Sequence, residues 1–295
     1  MTGIIIKALS GFYYVSSSDK LYTCKARGSF RKNGISPLVG DRVEFEPVLD
    51  DTGVINEILP RSSCLARPPV ANIQKLFIVS SLCDPSPNAY IIDKLTVIAR
   101  HNNIEPIIVF NKCDLGDFHF WQKIYHNAGF KPFIISASKG TGIEQLKSEL
   151  KGSVSAFTGN SGVGKSSILN SLLGDNIIPT GEVSQKLGRG RHTTRHTEIY
   201  HLPFGGFVAD TPGFSYIDTD NTDYSLKETL ADCFSDFAPF TKDCRFNTCS
   251  HTKEKGCAVI KAVNEGKIEP TRFESYIAFF EELKDLKEWE IKKRK

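Results

Sequence analysis

The first part of the chain alternates short apolar runs with polar turns, a pattern typical of β-strands. Turn-forming residues separate the runs, among them Asn33-Gly34 and Asp50–Gly53. Five short strands in about sixty residues predict a small barrel, for which an OB fold is the most economical architecture. The predicted strands are Ile4–Ala8, Phe12–Val15, Leu21–Ala26, Asp41–Pro47 and Val54–Leu59.

After Pro68-Pro69 the pattern changes to apolar strands that alternate with amphipathic helices, which predicts a doubly wound α/β sheet. The last two strands, joined by a turn over Pro203–Gly206, are expected to form an antiparallel pair at its edge. The predicted strands are Lys75–Ser80, Pro106–Phe110, Pro132–Ser136, Val154–Thr158, His196–Leu202 and Phe207–Asp210. The predicted helices are Tyr90–His101, Phe118–Ala128, Gly142–Leu150 and Lys165–Leu173.

From Tyr224 onward the pattern is helical and rich in cysteine. A last helix is predicted over Arg272–Lys293, and its apolar positions, spaced close to 3.6 residues apart, favour packing on the rest of this segment. These positions are Phe273, Tyr276, Ile277, Phe280, Leu283, Leu286 and Trp289. The pattern therefore predicts three domains: a β-barrel over 1–67, an α/β domain over 68–221 and a helical domain over 222–295.

Composition narrows the function classes. The 295 residues include 37 basic and 34 acidic ones, so the net charge of +3 does not by itself indicate a nucleic-acid binder. No stretch approaches the about 18 apolar residues of a membrane span, and no signal peptide is recognisable, so a cytoplasmic protein is expected. Arg27, Arg31 and Lys32 near Phe30 could contact RNA, but solvated loop charges are the favoured interpretation.

A phosphate-binding loop is predicted between one apolar strand and the helix that follows it. Gly159–Ser166 fits the pattern G-x-x-x-x-G-K-[ST], and the strand and helix make a chance glycine-rich turn a weak alternative. Lys165 would bridge the β- and γ-phosphates, and the Ser166 hydroxyl would hold Mg²⁺. The predicted nucleotide-binding residues are Gly159, Asn160, Ser161, Gly162, Val163, Gly164, Lys165, Ser166 and Ser167.

Guanine specificity is predicted from the loop after the strand that ends at Phe110. Asp114 can accept hydrogen bonds from the N1–H and amine of guanine, a donor pair that adenine lacks. Asn111 and the aliphatic stem of Lys112 would shape the base pocket. Ser136-Ala137 follows the next strand and could place a backbone N–H on the guanine carbonyl.

A third loop, Asp210-Thr211-Pro212-Gly213, also follows a strand. Asp210 would hold Mg²⁺ through water, and the Gly213 N–H would meet the γ-phosphate. Because ligands of α/β sheets bind at the carboxyl ends of strands, the three loops together predict a GTPase.

The order of these motifs is permuted. N-K-x-D and S-A precede the phosphate loop here, whereas they follow it in ordinary GTPases. Such a permutation is tolerable because the termini of a domain usually lie close together. One consequence is that D-x-x-G, which senses the γ-phosphate, leads directly into the C-terminal segment. We therefore infer that the nucleotide state is transmitted to residues 221–295.

A structural zinc site is predicted from the spacing C-x4-C-x-H-x5-C, formed by Cys244, Cys249, His251 and Cys257. Buried or free cysteines are the alternative. Zinc would supply folding energy to a segment that is expected to have little core of its own. The remaining five cysteines, Cys24, Cys64, Cys83, Cys113 and Cys233, are interpreted as small packing residues.

With these motifs the sequence resembles the RsgA (YjeQ) family, circularly permuted GTPases of small ribosomal subunit biogenesis. The likeness includes Val39–Val43, Leu65–Pro68 and Gly190–Thr194 as well as the cysteine cluster. It implies an N-terminal OB domain, a permuted GTPase domain and a C-terminal zinc domain. It also implies GTP hydrolysis stimulated by the 30S subunit during late maturation, with 16S rRNA as a contact. We expect a monomer that uses GTP/GDP, Mg²⁺ and one Zn²⁺.

Hydrolysis needs a group that orients water, and Phe214 stands where many GTPases carry Gln. His192, in the predicted switch I segment, can bind water and move a proton, and the resemblance implies the same role. The alternative is that His192 only contacts rRNA, together with the neighbouring arginines. Thr194 is favoured over Thr193 and Thr197 as the switch I ligand of Mg²⁺, although the sequence does not decide among them.

Two other functions stay open at this point. The chain could be an RNA-binding assembly scaffold in which nucleotide is only structural. It could also be a translation or signalling GTPase with a different partner.

Overall fold

The protein is described from a computed structural model that covers residues 1–18, 20–28, 30, 34–66, 69–174, 197–210 and 224–284. Strands and helices are numbered below in chain order within these residues.

The N-terminal strands close into a five-stranded barrel, which confirms the predicted OB architecture. Strand β1 pairs with both β2 and β4, and β3 and β5 complete the circle in the order β1-β2-β3-β5-β4. The strands are β1 (Thr2–Leu9), β2 (Phe12–Ser17), β3 (Lys20–Ala26), β4 (Arg42–Pro47) and β5 (Thr52–Ile58).

The barrel closes because alternate side chains of each strand point inward. Val43 and Phe45 of β4 are buried while their neighbours are exposed, as period 2 requires. They meet Ile5, Val15 and Ile55, which are fully buried. A short hairpin of β6 (Cys64–Ala66) and β7 (Pro69–Ala71) leads out of the barrel.

The predicted α/β sheet forms next. Its strands are β8 (Lys75–Ser81), β9 (Glu105–Asn111), β10 (Phe133–Ile134), β11 (Val154–Thr158), β12 (Glu198–His201) and β13 (Phe207–Asp210). Their spatial order is β10-β9-β8-β11-β13-β12, parallel throughout except for the antiparallel pair β12–β13. The phosphate-loop strand β11 therefore lies inside the sheet, between β8 and β13, although it is the fourth of these six strands in chain order.

Four helices connect these strands: α1 (Ala89–His101), α2 (His119–Asn127), α3 (Ile143–Leu150) and α4 (Lys165–Leu173). Leu146 and Leu150 of α3 pack with Ile168 and Leu172 of α4 against one face of the sheet. Helix α1 packs on β8 and β9 and also faces the C-terminal segment. In the described part of the chain no helix is both long and apolar enough to cross a membrane.

Barrel and sheet are joined edge to edge. Lys7 of β1 pairs with Glu198 of β12 in an antiparallel bridge, and the Lys7 Nζ lies 3.2 Å from the Glu198 carboxylate. Strand β12 comes shortly after the predicted switch I segment, so the barrel abuts the strand that leaves this segment.

The C-terminal segment forms helices α5 (Tyr224–Cys233), α6 (Ala238–Thr241), α7 (Ala258–Asn264) and α8 (Pro270–Lys284). Its core is aromatic: Phe234, Phe237, Tyr276 and Phe279 are each at most 2% exposed, and they cluster with Val97 of α1. The expectation of little core in this segment was therefore wrong, because all but one of the buried residues of this cluster belong to the segment itself, the exception being Val97.

A buried ion network fixes this segment to α1. The Arg272 guanidinium on α8 is fully buried and donates to Asp93 of α1 at 2.6 Å and to both carboxylate oxygens of Asp236 at 2.8 and 3.1 Å. Helix α8 buries Arg272, Ser275, Tyr276, Phe279 and Leu283. Because this buried face is rotated from the expected one, Phe273, Ile277 and Phe280 are only partly buried.

Two smaller predictions also needed correction. The strand expected over Pro132–Ser136 forms only over Phe133–Ile134, where it pairs with β9. Of the five cysteines interpreted as packing residues, Cys24 and Cys233 are buried, but Cys64 and Cys83 are exposed and Cys113 is intermediate.

Candidate functional site

The predicted nucleotide motifs meet at one edge of the α/β sheet. Asn111 ends β9, Ser136 follows β10 and Gly159 follows β11. Since these strands are parallel, their carboxyl ends lie at the same edge, and the loops that leave them converge there.

The phosphate loop depends on glycine at two positions where the backbone lies close to its neighbours. Gly159 has φ +143°, and a Cβ there would lie 2.1 Å from the Val79 carbonyl oxygen of β8. Gly164, the residue before α4, has φ +95°, and a Cβ there would lie 2.3 Å from Asn111 Nδ2. The loop therefore folds tightly against its neighbours, and the N–H groups at the start of α4 remain available for an anion.

The Lys165 ammonium lies inside this loop. It donates to the carbonyl oxygens of Gly159 at 2.6 Å and Asn160 at 2.8 Å. An ammonium has three N–H donors, so the third can serve a phosphate oxygen. Burial lowers the pKa of Lys165 to about 8, and an anion in the loop would oppose that shift.

Asn111 ties three loops together. Its side chain is 3% exposed, donates from Nδ2 to the Val163 carbonyl at 2.9 Å and accepts at Oδ1 from the Ala137 N–H at 3.0 Å. One amide thus joins the N-K-x-D loop, the S-A loop and the phosphate loop. Sequence reasoning expected Asn111 to shape the base pocket, but its contacts are with the loops themselves.

Asp114 is exposed at the same edge. A hydrogen bond from the Ser136 hydroxyl is the main reason that the pKa of Asp114 lies below its ordinary value, so the carboxylate is ionised and can accept. The N–H groups of Ser136 and Ala137 already donate, to the Thr141 carbonyl and to Asn111 Oδ1. A guanine carbonyl at this pair would therefore share a donor.

Lys112 supports the N-K-x-D loop, which would hold the guanine base and is called the base loop below. It has φ +62°, and its ammonium donates to the carbonyl oxygen of Asp84 at 2.6 Å. This contact joins the N-K-x-D loop to the segment that enters α1, a function that no motif in the sequence indicates.

Several predicted site residues lie outside the described residues. These are His192, Thr194 and Gly213, and of Asp210 only the backbone is described, at the end of β13 and paired with Glu198. Ser166 lies half-buried in the first turn of α4, and Ser161 and Ser167 are exposed beside it.

The Cys/His residues form a second cluster. The three Sγ atoms and a nitrogen of His251 all lie within 4.8 Å of one another. His251 Nδ1 lies 3.5 Å from the Sγ atoms of both Cys244 and Cys257, which are 3.9 Å apart. We call residues 244–257 the cluster loop.

These spacings fit a tetrahedral zinc ion. Bonds of about 2.3 Å to sulfur and about 2.0 Å to nitrogen place two sulfurs about 3.8 Å apart, and a sulfur and a nitrogen about 3.5 Å apart. The observed distances match both values. Burial lowers the pKa of His251, so the ring is in the neutral form that binds metals.

Backbone N–H groups also point at two of the sulfurs. The Ala258 N–H donates to Cys244 Sγ at 3.4 Å and the Ile260 N–H to Cys257 Sγ at 3.5 Å, both from the start of α7. Donors at a helix N-terminus favour thiolates, which are the form that binds zinc.

Sequence reasoning missed the residues that hold this cluster in place. Glu254 accepts hydrogen bonds inside the cluster loop, and Tyr276 of α8 donates to the Ser250 carbonyl at 2.8 Å. Only the position of Glu254, between His251 and Cys257, could have drawn attention to it.

Comparison with known families agrees with this geometry. The family model described as RsgA GTPase matches residues 58–220, and the model of the RsgA N-terminal domain matches residues 2–55. The chain belongs to the RsgA GTPase family. Membership in this family implies GTP/GDP and Mg²⁺ as ligands, and the circular permutation that the motif order predicted is confirmed.

Relatives in the RsgA family match over nearly the whole chain. A "Small ribosomal subunit biogenesis GTPase RsgA" from Caldanaerobacter subterraneus subsp. tengcongensis is 44% identical, with 96% of each chain covered. The protein of the same name from Streptococcus pneumoniae serotype 4 is 42% identical, over 98% of this chain and 96% of its own length.

Two solved structures resemble the fold. YloQ, described as a circularly permuted GTPase, is 35% identical, with a TM-score of 0.81 over 97% of this chain and 96% of its own. YjeQ from Thermotoga maritima has the same identity and TM-score, over 97% of this chain and 99% of its own.

Proposed function

We propose that this chain is a GTPase that binds the 30S ribosomal subunit and hydrolyses GTP to GDP and phosphate during late small-subunit maturation, with its activity stimulated by the subunit. The observation that carries the GTPase assignment is Asn111, whose amide joins the base loop, the S-A loop and the phosphate loop. The partner is carried over from the relatives, whose name is small ribosomal subunit biogenesis GTPase.

In this proposal the phosphates of GTP lie along Gly159–Ser167 at the start of α4. Lys165 supplies one N–H to the β- and γ-phosphates while its other two hold the loop. Asp114 accepts from guanine, and Lys112 supports the loop beneath it. The predicted contact of Gly213 with the γ-phosphate stays part of the proposal.

Mg²⁺ would be held by oxygen donors, which suit this cation. They are the Ser166 hydroxyl, the hydroxyl of Thr194 and, through water, Asp210. The ion neutralises charge that develops on the phosphates. His192 would orient the attacking water and help to move its proton.

A structural zinc ion would be held by Cys244, Cys249, His251 and Cys257. The support is the spacing of their ligand atoms, which fits a tetrahedron. Four protein ligands also complete the coordination of a structural zinc ion. The three domains would span 1–67, 68–221 and 222–295. We further propose that the protein is a cytoplasmic monomer that contacts 16S rRNA.

The test is GTP turnover by the purified full-length chain, measured with and without purified 30S subunits. Stimulation by the subunit is the expected result. Turnover that 30S leaves unchanged would remove the ribosome from the mechanism and favour a GTPase with another partner. No turnover under either condition would favour an assembly scaffold with structural nucleotide.

A further inference from the structure

The cluster loop contains a glutamate that is not one of the four candidate ligands. Glu254 lies three residues after His251 and three before Cys257, and it is partly buried. Among the residues that the structure describes, no Lys or Arg forms an ion pair with its carboxylate. The acceptor sites of this carboxylate are instead used by the loop itself.

The two carboxylate oxygens collect donors from the backbone on both sides of His251. Oε1 accepts from the Ser250 N–H at 2.8 Å and from the Ser250 hydroxyl, and Oε2 accepts from the N–H groups of Thr252 at 3.0 Å and Lys253 at 3.1 Å. Three N–H groups that converge on one carboxylate fix the path of the chain through His251.

That path is one the backbone would not adopt easily. His251 has φ +56°, the left-handed region that residues other than glycine rarely occupy. The turn lets Cys249 and His251, only two residues apart, face the same centre. A conformation of this kind persists only when its surroundings hold it.

Glu254 also reaches the other half of the cluster. Its backbone carbonyl accepts from the Cys257 N–H at 3.2 Å, so one residue holds the chain on both sides of the turn. Tyr276 of α8 adds a bond to the Ser250 carbonyl at 2.8 Å, which links the turn to the aromatic core.

We propose that Glu254 is a positioning residue for the metal: its carboxylate clamps residues 250–253 so that His251 is presented to a zinc ion with the three cysteines. Glu254 acts through His251 and does not bind the ion. This inference rests on the proposed zinc site.

The test uses the full chain and measures zinc affinity by competition with a chromogenic chelator, beside the absorption spectrum of the Co²⁺-substituted protein. Glu254→Ala removes every side-chain bond of the clamp, and loss of a partner that orients a metal ligand weakens binding by about 10- to 100-fold. Glu274→Ala, which removes an exposed glutamate of α8, is the matched control and should bind zinc as the parent does.

A milder pair of variants guards against misfolding. Glu254→Gln keeps acceptor capacity at one oxygen and should weaken zinc less than Glu254→Ala. Tyr276→Phe keeps the ring and loses one hydrogen bond, so an effect of about fivefold is expected. The Co²⁺ bands of all variants should keep the position typical of three sulfurs and one nitrogen.

Three results would overturn the proposal. Equal zinc affinity of Glu254→Ala and the parent would contradict the proposed role of Glu254 but not the zinc site. Shifted Co²⁺ bands in Glu254→Gln would make Glu254 a ligand. A parent chain that binds no zinc would overturn the zinc site itself, and the clamp with it.

Discussion

The phosphate loop and the cluster loop both gather atoms around one point, but they do so with different materials. The phosphate loop uses backbone: its shape depends on Gly159 and Gly164, and strands β8 and β11 hold it against the sheet. The cluster loop gathers side chains on residues 244–257, all of them described, where no strand forms and His251 has a positive φ.

This difference teaches where each site draws its stability. The phosphate loop is bonded to a buried sheet through Asn111, so contacts within the protein fix its geometry. The cluster loop is supported by Glu254 and by the aromatic core, but three thiolates near one imidazole need a cation to balance their charge. Substitutions in one loop should therefore leave the fold of the other loop intact.

The largest expected effect concerns the choice between guanine and xanthine nucleotides at the N-K-x-D loop. Asp114→Asn exchanges an acceptor pair for an amide, which should shift the preference from GTP to XTP by about 10⁴-fold, because the wrong base leaves polar groups unpaired. Competition between the two nucleotides measures the ratio. Asp117→Asn in the same loop is the control, and a persisting GTP preference in Asp114→Asn would contradict the assignment.

The buried ion network tests the attachment of the C-terminal segment to α1. Arg272→Met leaves Asp93 and Asp236 buried without their partner, so unfolding of this segment should become easier by about 3–5 kcal/mol. Denaturant unfolding followed by hydrogen exchange in α8 measures it. The exposed Arg245, changed to Met, should shift stability by less than about 0.5 kcal/mol; equal effects of the two variants would exclude a special role for Arg272.

A matched glycine pair tests whether the phosphate loop depends on its backbone. Gly164→Ala places a methyl group against Asn111 and should lower GTP turnover by about 10²-fold or more, since displacement by about 1 Å costs that much. Gly174→Ala, at the other end of α4, also has a positive φ but meets no neighbour within 4 Å. If both variants lose the same activity, backbone strain alone would explain the loss.

The variant His192→Ala tests whether the residue that orients the attacking water comes from the predicted switch I segment. Turnover should fall by about 10²-fold while GTP affinity changes little, because a positioned general base contributes about that much. Steady-state turnover and nucleotide titration separate the two quantities, and His126→Ala on the surface of α2 is the control. Normal turnover in His192→Ala would instead favour an rRNA contact.

Zinc removal should have the most local effect. Because Phe234, Phe237 and Phe279 pack in an aromatic core with Val97 of α1, chelation should raise hydrogen exchange within residues 244–257 and leave exchange in α5 and α8 unchanged. Exchange followed by mass spectrometry measures this directly. Loss of protection throughout α5 and α8 would show that the core depends on zinc after all.

Much of this could be predicted because the signals are local. Alternation of apolar and polar residues predicted the barrel strands. The pattern of Gly159–Ser166 predicted the phosphate loop between a strand and a helix. The cluster ligands are only 13 positions apart from first to last, so their spacing carried the information. The roles of Asn111, Arg272 and Glu254 could not be read in this way, because each depends on partners brought close by folding.

By itself the sequence determined the strand and helix pattern, the permuted motif order and the four candidate metal ligands, since all of these follow from residue types at short spacing. Only the tertiary structure decided that β11 lies at the centre of the sheet, that α1 completes the C-terminal core and that Asn111 joins three loops. The physical reason is that burial and hydrogen bonding are satisfied between distant segments. The buried position of Arg272 can be explained only when folding has placed the carboxylates of Asp93 and Asp236 beside it.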